Sequence, residues 1–167
     1  VSGGRVIRFV YEGDFFKIID KIGKIPLPPY IKREPEDIDR DRYQSLFASK
    51  RGAVAAPTAS LHFDKKMIKK IKNKGIRITP VVLHIGLGTF RPIEVEDLSR
   101  HKMDSEYYEV SEESARLINE TIDRKGRIVA VGTTVVRVLE SILTVDKHIK
   151  KDRGWTDKFI YPPYKFK

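Results

Sequence analysis

Three apolar runs, each ending in a turn of small or polar residues, constrain the fold of this chain most strongly. They are residues 53–57 (AVAAP), residues 76–86 (IRITPVVLHIG) and residues 127–134 (RIVAVGTT). Short apolar runs bounded by glycine, proline or threonine are typical of buried strands. Segments of helical pattern lie between and after these runs, which predicts strands alternating with helices.

Four segments carry that helical pattern, and residues that start or stop helices bound them. They are residues 37–52, 64–75, 111–126 and 134–143. In the second segment, Met67, Ile68 and Ile71 are expected to face inward, with the lysines facing outward. Ser111 is the expected cap of the third helix. The predicted fold class is therefore α/β, with a mixed-sheet or barrel-like α/β domain.

The N-terminal part has a different pattern. Residues 3–13 form a strand pattern between glycines, and residues 14–23 form a short amphipathic helix pattern closed by Gly23. Residues 24–37 (KIPLPPYIKREPED) contain four prolines, which exclude a regular helix or a central strand. We interpret this stretch as an extended linker, and we expect a domain boundary between residues 1–25 and residues 26–167.

Composition limits the classes of function. Lys and Arg total 33 against 23 Asp and Glu. The resulting net charge of +10 favours a polyanionic partner, nucleic acid before membrane, although solubility alone would also explain it. The chain contains no cysteine, which removes disulfides, thiolate metal sites and cysteine nucleophiles together. No stretch approaches the roughly 18 to 20 apolar residues of a membrane helix, so no membrane association and a cytoplasmic location are expected.

Side chains that could bind a ligand or catalyse a reaction follow the apolar runs. Glycines let a backbone approach a ligand closely, and histidine titrates near neutral pH. In α/β domains such turns gather at one edge of the sheet. The candidate residues are Thr58 and His62 after the first run, His84, Gly86, Gly88 and Thr89 around the end of the second, and Thr133, Thr134 and Arg137 after the third.

Two further clusters have both a functional and a structural interpretation. Residues 101–110 (HKMDSEYYEV) bring His101, Asp104 and Glu106 close in sequence, but their spacing matches no metal template, so no metal is expected. The helix at residues 64–75 carries a basic face that suits RNA phosphates, although solvation alone would also explain it. The candidate RNA-binding residues on that face are Lys65, Lys66, Lys69 and Lys70.

Several motifs, taken in order, resemble the QueA family of tRNA ribosyltransferase-isomerases. They are PLPPYI, RYQSLFA, AAPTASLHF, VVLHIGLGTFRP, HKM with SEYYEV, RIVAVGTTVVR with LES, and GWTDKFIYPPYKFK, and they extend from about residue 26 to residue 167. The resemblance implies an α/β domain with an inserted β-barrel. Residues 1–25 would then end the barrel, residues 26–167 would belong to the catalytic α/β domain, and the chain would be part of a longer, monomeric protein.

The resemblance also implies a reaction. Family members transfer and isomerise the ribosyl part of S-adenosylmethionine onto 7-aminomethyl-7-deazaguanine at the tRNA wobble position. The product is epoxyqueuosine, and adenine and methionine are released. S-adenosylmethionine is a co-substrate and no metal is required. Proton transfers in this reaction suit histidine. The implied acid/base candidates are His84, His62, His101 and Glu106, and the implied cofactor-binding residues are Thr58, Gly86, Gly88, Thr89, Thr133, Thr134 and Arg137.

Three residues depart from the family pattern. Ser60 stands where glycine is usual, Asp104 stands where histidine is usual, and Val135 replaces a small hydroxyl residue.

Two alternative functions stay open. The first alternative is a non-catalytic basic RNA-binding domain, which would not depend on S-adenosylmethionine. The second is another cofactor-using transferase that acts on a small substrate, which would leave the excess positive charge unexplained.

Overall fold

A small antiparallel sheet organises the chain. The structure is a computed structural model, and it describes residues 6–167. Strands β1 (Val82–Leu83), β2 (Glu106–Val110) and β3 (Asp152–Thr156) lie side by side in that order. Both pairings are antiparallel. Helices accompany the sheet, so the predicted mixture of helices and strands is confirmed, but the strands of the described residues form an antiparallel sheet rather than the predicted mixed or barrel-like one.

Five α-helices and three short 3₁₀ turns occur in the described residues. The helices are α1 (Phe15–Ile22), α2 (Asp39–Arg42), α3 (Lys65–Asn73), α4 (Glu112–Asp123) and α5 (Thr133–Ile142). The 3₁₀ turns are Thr58–His62, Leu87–Phe90 and Leu98–Arg100. Within residues 6–167, none of the helices has the length and apolar character needed to span a bilayer.

Side-chain caps define where three of these helices begin. The carboxylate of Asp14 accepts backbone N–H groups of α1, and Asp64 accepts the Met67 N–H at the start of α3. Ser111 accepts the Ser114 N–H at the start of α4, as predicted. A capping oxygen satisfies N–H groups that have no partner inside the helix, so these residues fix the helix boundaries.

The core lies between one face of the sheet and helices α4 and α5. Residues of β2 alternate between buried and half-buried, as a strand with one covered face must. Val110 of β2 is 1% exposed and Val138 of α5 is fully buried. Around them pack Ala55, Leu83, Ile85, Tyr108, Ala115, Ile118 and Ile149.

Two of the three predicted buried strands do not form. Residues 53–57 make one sheet-like backbone hydrogen bond, from Val54 N–H to the Ile85 carbonyl, and are otherwise irregular. Residues 127–131 form no strand, and Val129 is 71% exposed. Of the second run, only Val82–Leu83 belongs to a strand. An apolar run becomes a strand only where another backbone accepts its hydrogen bonds, and composition does not reveal that partner.

The helix predicted over residues 37–52 is mostly wrong, because only Asp39–Arg42 are helical. The Gln44 side chain accepts the Ser45 N–H, and the Ser45 hydroxyl accepts the Phe47 N–H at 3.1 Å. Such local side-chain bonds compete with helix formation. In α3 the predicted inward face is also only partly formed, since Ile68 and Ile71 are half-buried but Met67 is 43% exposed.

The proline-rich stretch has no regular structure, as predicted, and it is attached to α2 by an ion pair. Arg33 donates from both terminal nitrogens to the Asp39 carboxylate, each at 2.7 Å. Hydrogen bonds from Arg33 and from the Glu36 N–H lower the pKa of Asp39 to about 2.

The domain boundary between residues 1–25 and residues 26–167 stays a prediction. Residues 3–5 of the predicted N-terminal strand lie outside the described residues, and residues 6–11 form no strand.

Replacing Val138 with Ala should lower the free energy of unfolding by about 2 to 3 kcal/mol, because it leaves a cavity at a fully buried position. Val145→Ala is the matched control, since Val145 is fully exposed and its loss should change stability by less than about 0.5 kcal/mol. Urea denaturation of the two variants measures the difference, and equal stabilities would contradict the assigned core.

Protonation of His148 should tie the segment before β3 to α4. Its Nε2 lies 2.8 Å from the Asp123 carboxylate and its Nδ1 lies 2.9 Å from the Asp146 carbonyl, so the imidazolium donates to both. These partners, Asp123 first, raise the pKa of His148 above its ordinary 6.5. The resulting stabilisation is present below pH 6.5 and is lost as pH rises through the raised value.

NMR titration of the His148 ring protons measures this pKa directly. Asp123→Asn should move it down toward the ordinary value, while Asp157→Asn, a change at an aspartate that does not contact His148, should leave it unchanged. An unshifted His148 in the unsubstituted protein would contradict the contact.

Candidate active site

Glu106 is the centre of the candidate site. It is the first residue of β2 and is 3% exposed. Its Oε1 accepts the Gly86 N–H at 2.8 Å and the Thr89 hydroxyl at 3.3 Å. Its Oε2 accepts from Nη1 of Arg137 at 2.6 Å. One carboxylate therefore joins the loop after β1 to helix α5.

Arg137 completes a buried ion pair. Its Nη2 donates to the carbonyls of Asp104, at 3.2 Å, and Thr156, at 3.0 Å. Its Nε is buried and has no hydrogen-bond partner among the described residues. The family resemblance implies that Arg137 binds the cofactor, and in the structure its guanidinium is paired with the Glu106 carboxylate, so a role of Arg137 toward a ligand stays a prediction. Charges this buried are stable only when they are paired and hydrogen-bonded, so each residue depends on the other.

The glycines of the loop give the backbone close access to neighbouring side chains. A Cβ atom at Gly88 would lie 2.4 Å from the Asp104 carboxylate, so only glycine fits there without a shift. Gly86 has more room, since a Cβ there would lie 3.9 Å from Glu106 Oε1. Asp104 also lies 3.4 Å from Arg91 at the far end of the loop. The loop between residues 86 and 91 is therefore held by two carboxylates.

His84 directly precedes this loop. Its backbone N–H donates to the Tyr107 carbonyl at 2.8 Å, which extends the β1–β2 pairing by one residue. Its half-buried ring stacks on the Tyr107 ring, with centroids 5.6 Å apart and 20° between planes. The Gly52 backbone also lies close to this ring, since a Cβ on Gly52 would lie 2.6 Å from Nδ1. Stacking and close packing thus fix the position of the His84 ring.

The other two candidate histidines lie apart from His84. His62 is exposed at the end of the turn Thr58–His62. His101 is half-buried with its ring 4.6 Å from that of Phe159, and it lines two open clefts of about 380 and 570 Å³. Among residues 6–167, no hydrogen bond or ring contact joins the three histidines, so the structure does not gather them into one cluster.

Two of the predicted turns lie against each other. Gly132, with φ +89°, packs on Ala59, to which a Cβ on the glycine would approach within 3.4 Å. This contact brings the turn that contains Thr58 to the start of α5. Near this junction Thr58 and Thr133 are exposed and Thr134 is half-buried.

The lysines of α3 are all free of ion pairs in the described part of the chain. Lys65, Lys66, Lys69 and Lys70 are exposed. In the same part of the chain, no group of three or more histidine and carboxylate side chains could hold a metal ion.

Sequence reasoning missed the aromatic neighbours of His84 and both strands β2 and β3. Tyr107 contacts both the His84 ring and the Trp155 ring. The alternation within residues 106–110 could have indicated a strand with Glu106 and Tyr107 on opposite faces. Strand β3 carries Asp152 and Gly154, residue types that are uncommon in strands, and gave no such signal.

Comparison with known proteins places the chain in a family. The model of the family described as queuosine biosynthesis protein matches residues 1–167. The chain therefore belongs to this family of queuosine biosynthesis proteins, and the resemblance drawn from its motifs is confirmed.

Individual relatives carry a more specific name. An S-adenosylmethionine:tRNA ribosyltransferase-isomerase from Cytophaga hutchinsonii shares 52% sequence identity with this chain, in an alignment that covers 99% of this chain and 49% of that protein. The protein of the same name from Halothermothrix orenii is 53% identical over 99% of this chain and 48% of its own length. The chain thus spans about half the length of the curated relatives that it matches.

One solved structure is also similar. The crystal structure of S-adenosylmethionine tRNA ribosyltransferase from Thermotoga maritima shares 41% sequence identity with this chain, with a TM-score of 0.49. The match covers 65% of this chain and 32% of that one.

Replacing Arg137 with Met should lower the free energy of unfolding by about 3 to 5 kcal/mol, because it leaves the Glu106 carboxylate buried without its partner. Arg116→Met is the matched control, since Arg116 is also a helix residue that pairs with a glutamate, Glu120, but this pair lies on the surface. That variant should lose much less stability. Equal losses in denaturant titrations of the two variants would contradict the buried pair.

Proposed function

We propose that this chain is part of an enzyme that transfers and isomerises the ribosyl moiety of S-adenosylmethionine onto 7-aminomethyl-7-deazaguanine at the wobble position of tRNA. The product is epoxyqueuosine-tRNA, with adenine and methionine released. The observation that carries the proposal is the identity of about half of all residues, over 99% of this chain, to relatives named for this reaction. No metal is invoked.

His84 is the residue that we assign to acid/base work. The sulfonium of S-adenosylmethionine acidifies the neighbouring 5′ C–H bonds, so a base can start the reaction by removing that proton. Adenine then leaves more readily when it is protonated, and the attacking aminomethyl group must lose a proton. Histidine suits such transfers near neutral pH. The fixed ring of His84, beside the glycine loop, supports this role, while His62 and His101 stay candidates for the remaining proton transfers.

The loop at residues 86–89 is the proposed contact surface for S-adenosylmethionine. Its glycines would admit the nucleoside close to the backbone. In this proposal Glu106 and Arg137 hold the loop in place, because both carboxylate oxygens of Glu106 are already hydrogen-bonded. The hydroxyl groups of Thr58, Thr133 and Thr134 would supply polar contacts at the neighbouring junction.

The positive charge supports tRNA as the partner. Lys65, Lys66, Lys69 and Lys70 of α3 are the proposed phosphate contacts, within a chain of net charge +10. Neutralising phosphates releases counterions, so binding should weaken steeply with added salt. We propose a monomeric enzyme located in the cytoplasm, where tRNA is modified. The same lysines favour the second candidate, a basic RNA-binding domain without catalysis.

Nucleoside mass analysis tests the proposal. The natural polypeptide that carries these residues is incubated with S-adenosylmethionine and tRNA containing 7-aminomethyl-7-deazaguanine, and the tRNA is then digested. The expected result is a nucleoside with the mass of epoxyqueuosine and release of adenine. Salt-sensitive tRNA binding without any new nucleoside would contradict the proposal and favour the RNA-binding domain.

Replacing His84 with Gln should lower turnover by at least about 100-fold, because glutamine cannot carry the proton. His148→Gln is the matched control, since His148 contacts Asp123 and lies outside the candidate site. Initial rates of adenine release, measured on variants whose thermal unfolding matches the unsubstituted protein, give the comparison. Near-normal turnover by the His84 variant would remove this residue from the mechanism.

A further inference from the structure

Three aromatic rings form a continuous row across the sheet, and we call His84, Tyr107 and Trp155 the aromatic row. Tyr107 and Trp155 are direct partners in the β2–β3 register, and the Tyr107 carbonyl accepts the His84 N–H. The Tyr107 and Trp155 centroids lie 5.7 Å apart with 70° between planes. The row therefore takes one ring from the end of β1 and one from each of β2 and β3.

The aromatic row lies on the face of the sheet opposite the core. Glu106, Tyr108 and Val110 occupy the buried face of β2, so Tyr107 points the other way. Trp155 is 69% exposed. An exposed tryptophan beside another aromatic ring adds nothing to the core and offers an apolar surface to a partner.

The two ends of the row differ. The Gly52 backbone lies close to the His84 ring, whereas Trp155 at the other end is 69% exposed. A planar group stacked on Trp155 would lie on the same face of the sheet as His84, the residue to which we assign acid/base work.

Basic side chains border the row. Arg153 is exposed and lies opposite Glu109 in the β2–β3 register. Lys50 lies 2.5 Å from the same Glu109, and Arg51, the residue after Lys50, lies 3.1 Å from the Asp20 carboxylate. Three cations and two carboxylates leave this border with one excess positive charge, which complements an RNA backbone.

We propose that the aromatic row binds unpaired nucleotides of RNA by base stacking, with the bordering cations on the phosphates. Proteins recognise single-stranded RNA by stacking bases on aromatic rings, and a surface of exposed rings with basic neighbours provides both contacts. The inference rests on the proposed function and deepens it, because a wobble base and its neighbours lie in a loop of unpaired nucleotides. Bases in a duplex are already stacked and have no free face for the row.

Trp155 makes this proposal directly measurable, since it is the only tryptophan of the 167-residue chain. The probes are an RNA anticodon stem-loop and a control RNA hairpin of the same length. All bases of the control hairpin are paired except those of its tight turn. Adding the stem-loop to the chain should quench the Trp155 fluorescence, because a base stacks on the indole. The fully paired hairpin should cause much less quenching. The assay requires neither S-adenosylmethionine nor turnover.

Variants assign the affinity to the row, with fluorescently labelled stem-loop and anisotropy as the readout. Trp155→Ala and Tyr107→Ala should each raise the dissociation constant by about 5- to 150-fold, the effect expected of one stacked base. Trp155→Phe should retain most of the affinity because it keeps an aromatic face. Tyr30→Ala is the matched control, since Tyr30 is 68% exposed and lies outside the row, and it should bind normally.

Three results would overturn the proposal. They are an absence of quenching, equal quenching by the paired hairpin, and unchanged binding by Trp155→Ala and Tyr107→Ala. Dimerisation that Trp155→Ala abolishes, seen by analytical ultracentrifugation without any effect of RNA, would instead assign this face to a second copy of the chain. If the protein binds the stem-loop through the row but transfers no ribosyl group, the proposed function is wrong and this inference stands. If it transfers the ribosyl group but no base stacks on the row, only this inference is wrong.

Discussion

The buried ion pair between Glu106 and Arg137 is the interaction on which the rest of the site depends. Removing two charges from water costs several kcal/mol for each ion, and only their pairing and further hydrogen bonds offset that cost. Here the further bonds come from Gly86, Thr89 and the carbonyl of Thr156. The loop after β1, the start of β2, the end of β3 and helix α5 must therefore assume their positions together.

The alternation of side chains along β2 gives the sheet one face that packs on the core and one face that points away from it. Glu106 at the first position of the strand faces the core, so Tyr107 at the next position must face outward. The same register that buries the ion pair therefore places Tyr107 in the aromatic row. A slip of one residue would expose Glu106 and bury Tyr107, which ties the outer surface to the inner pair.

Local signals in the sequence predicted the helices better than the sheet. Ser111 correctly predicted the start of α4, because a cap is a contact within a few residues. The apolar run at residues 127–131 gave a strong strand signal, yet no partner strand accompanies it among the described residues. Strand β3 shows the converse, since its pairing with β2 overrides residue types that disfavour strands.

The candidate site was predictable in its residue types but not in its connections. The sequence identified Glu106, Arg137, Gly86 and Thr89 separately, and only the fold brings the other three, which lie 17 to 31 positions from Glu106, onto its one carboxylate. Hydrogen exchange with mass spectrometry tests the resulting account most directly. Adding S-adenosylmethionine to the natural polypeptide should slow amide exchange in peptides that cover residues 84–90. Unchanged exchange there, with protection confined to other segments, would contradict a cofactor site held by the Glu106–Arg137 pair.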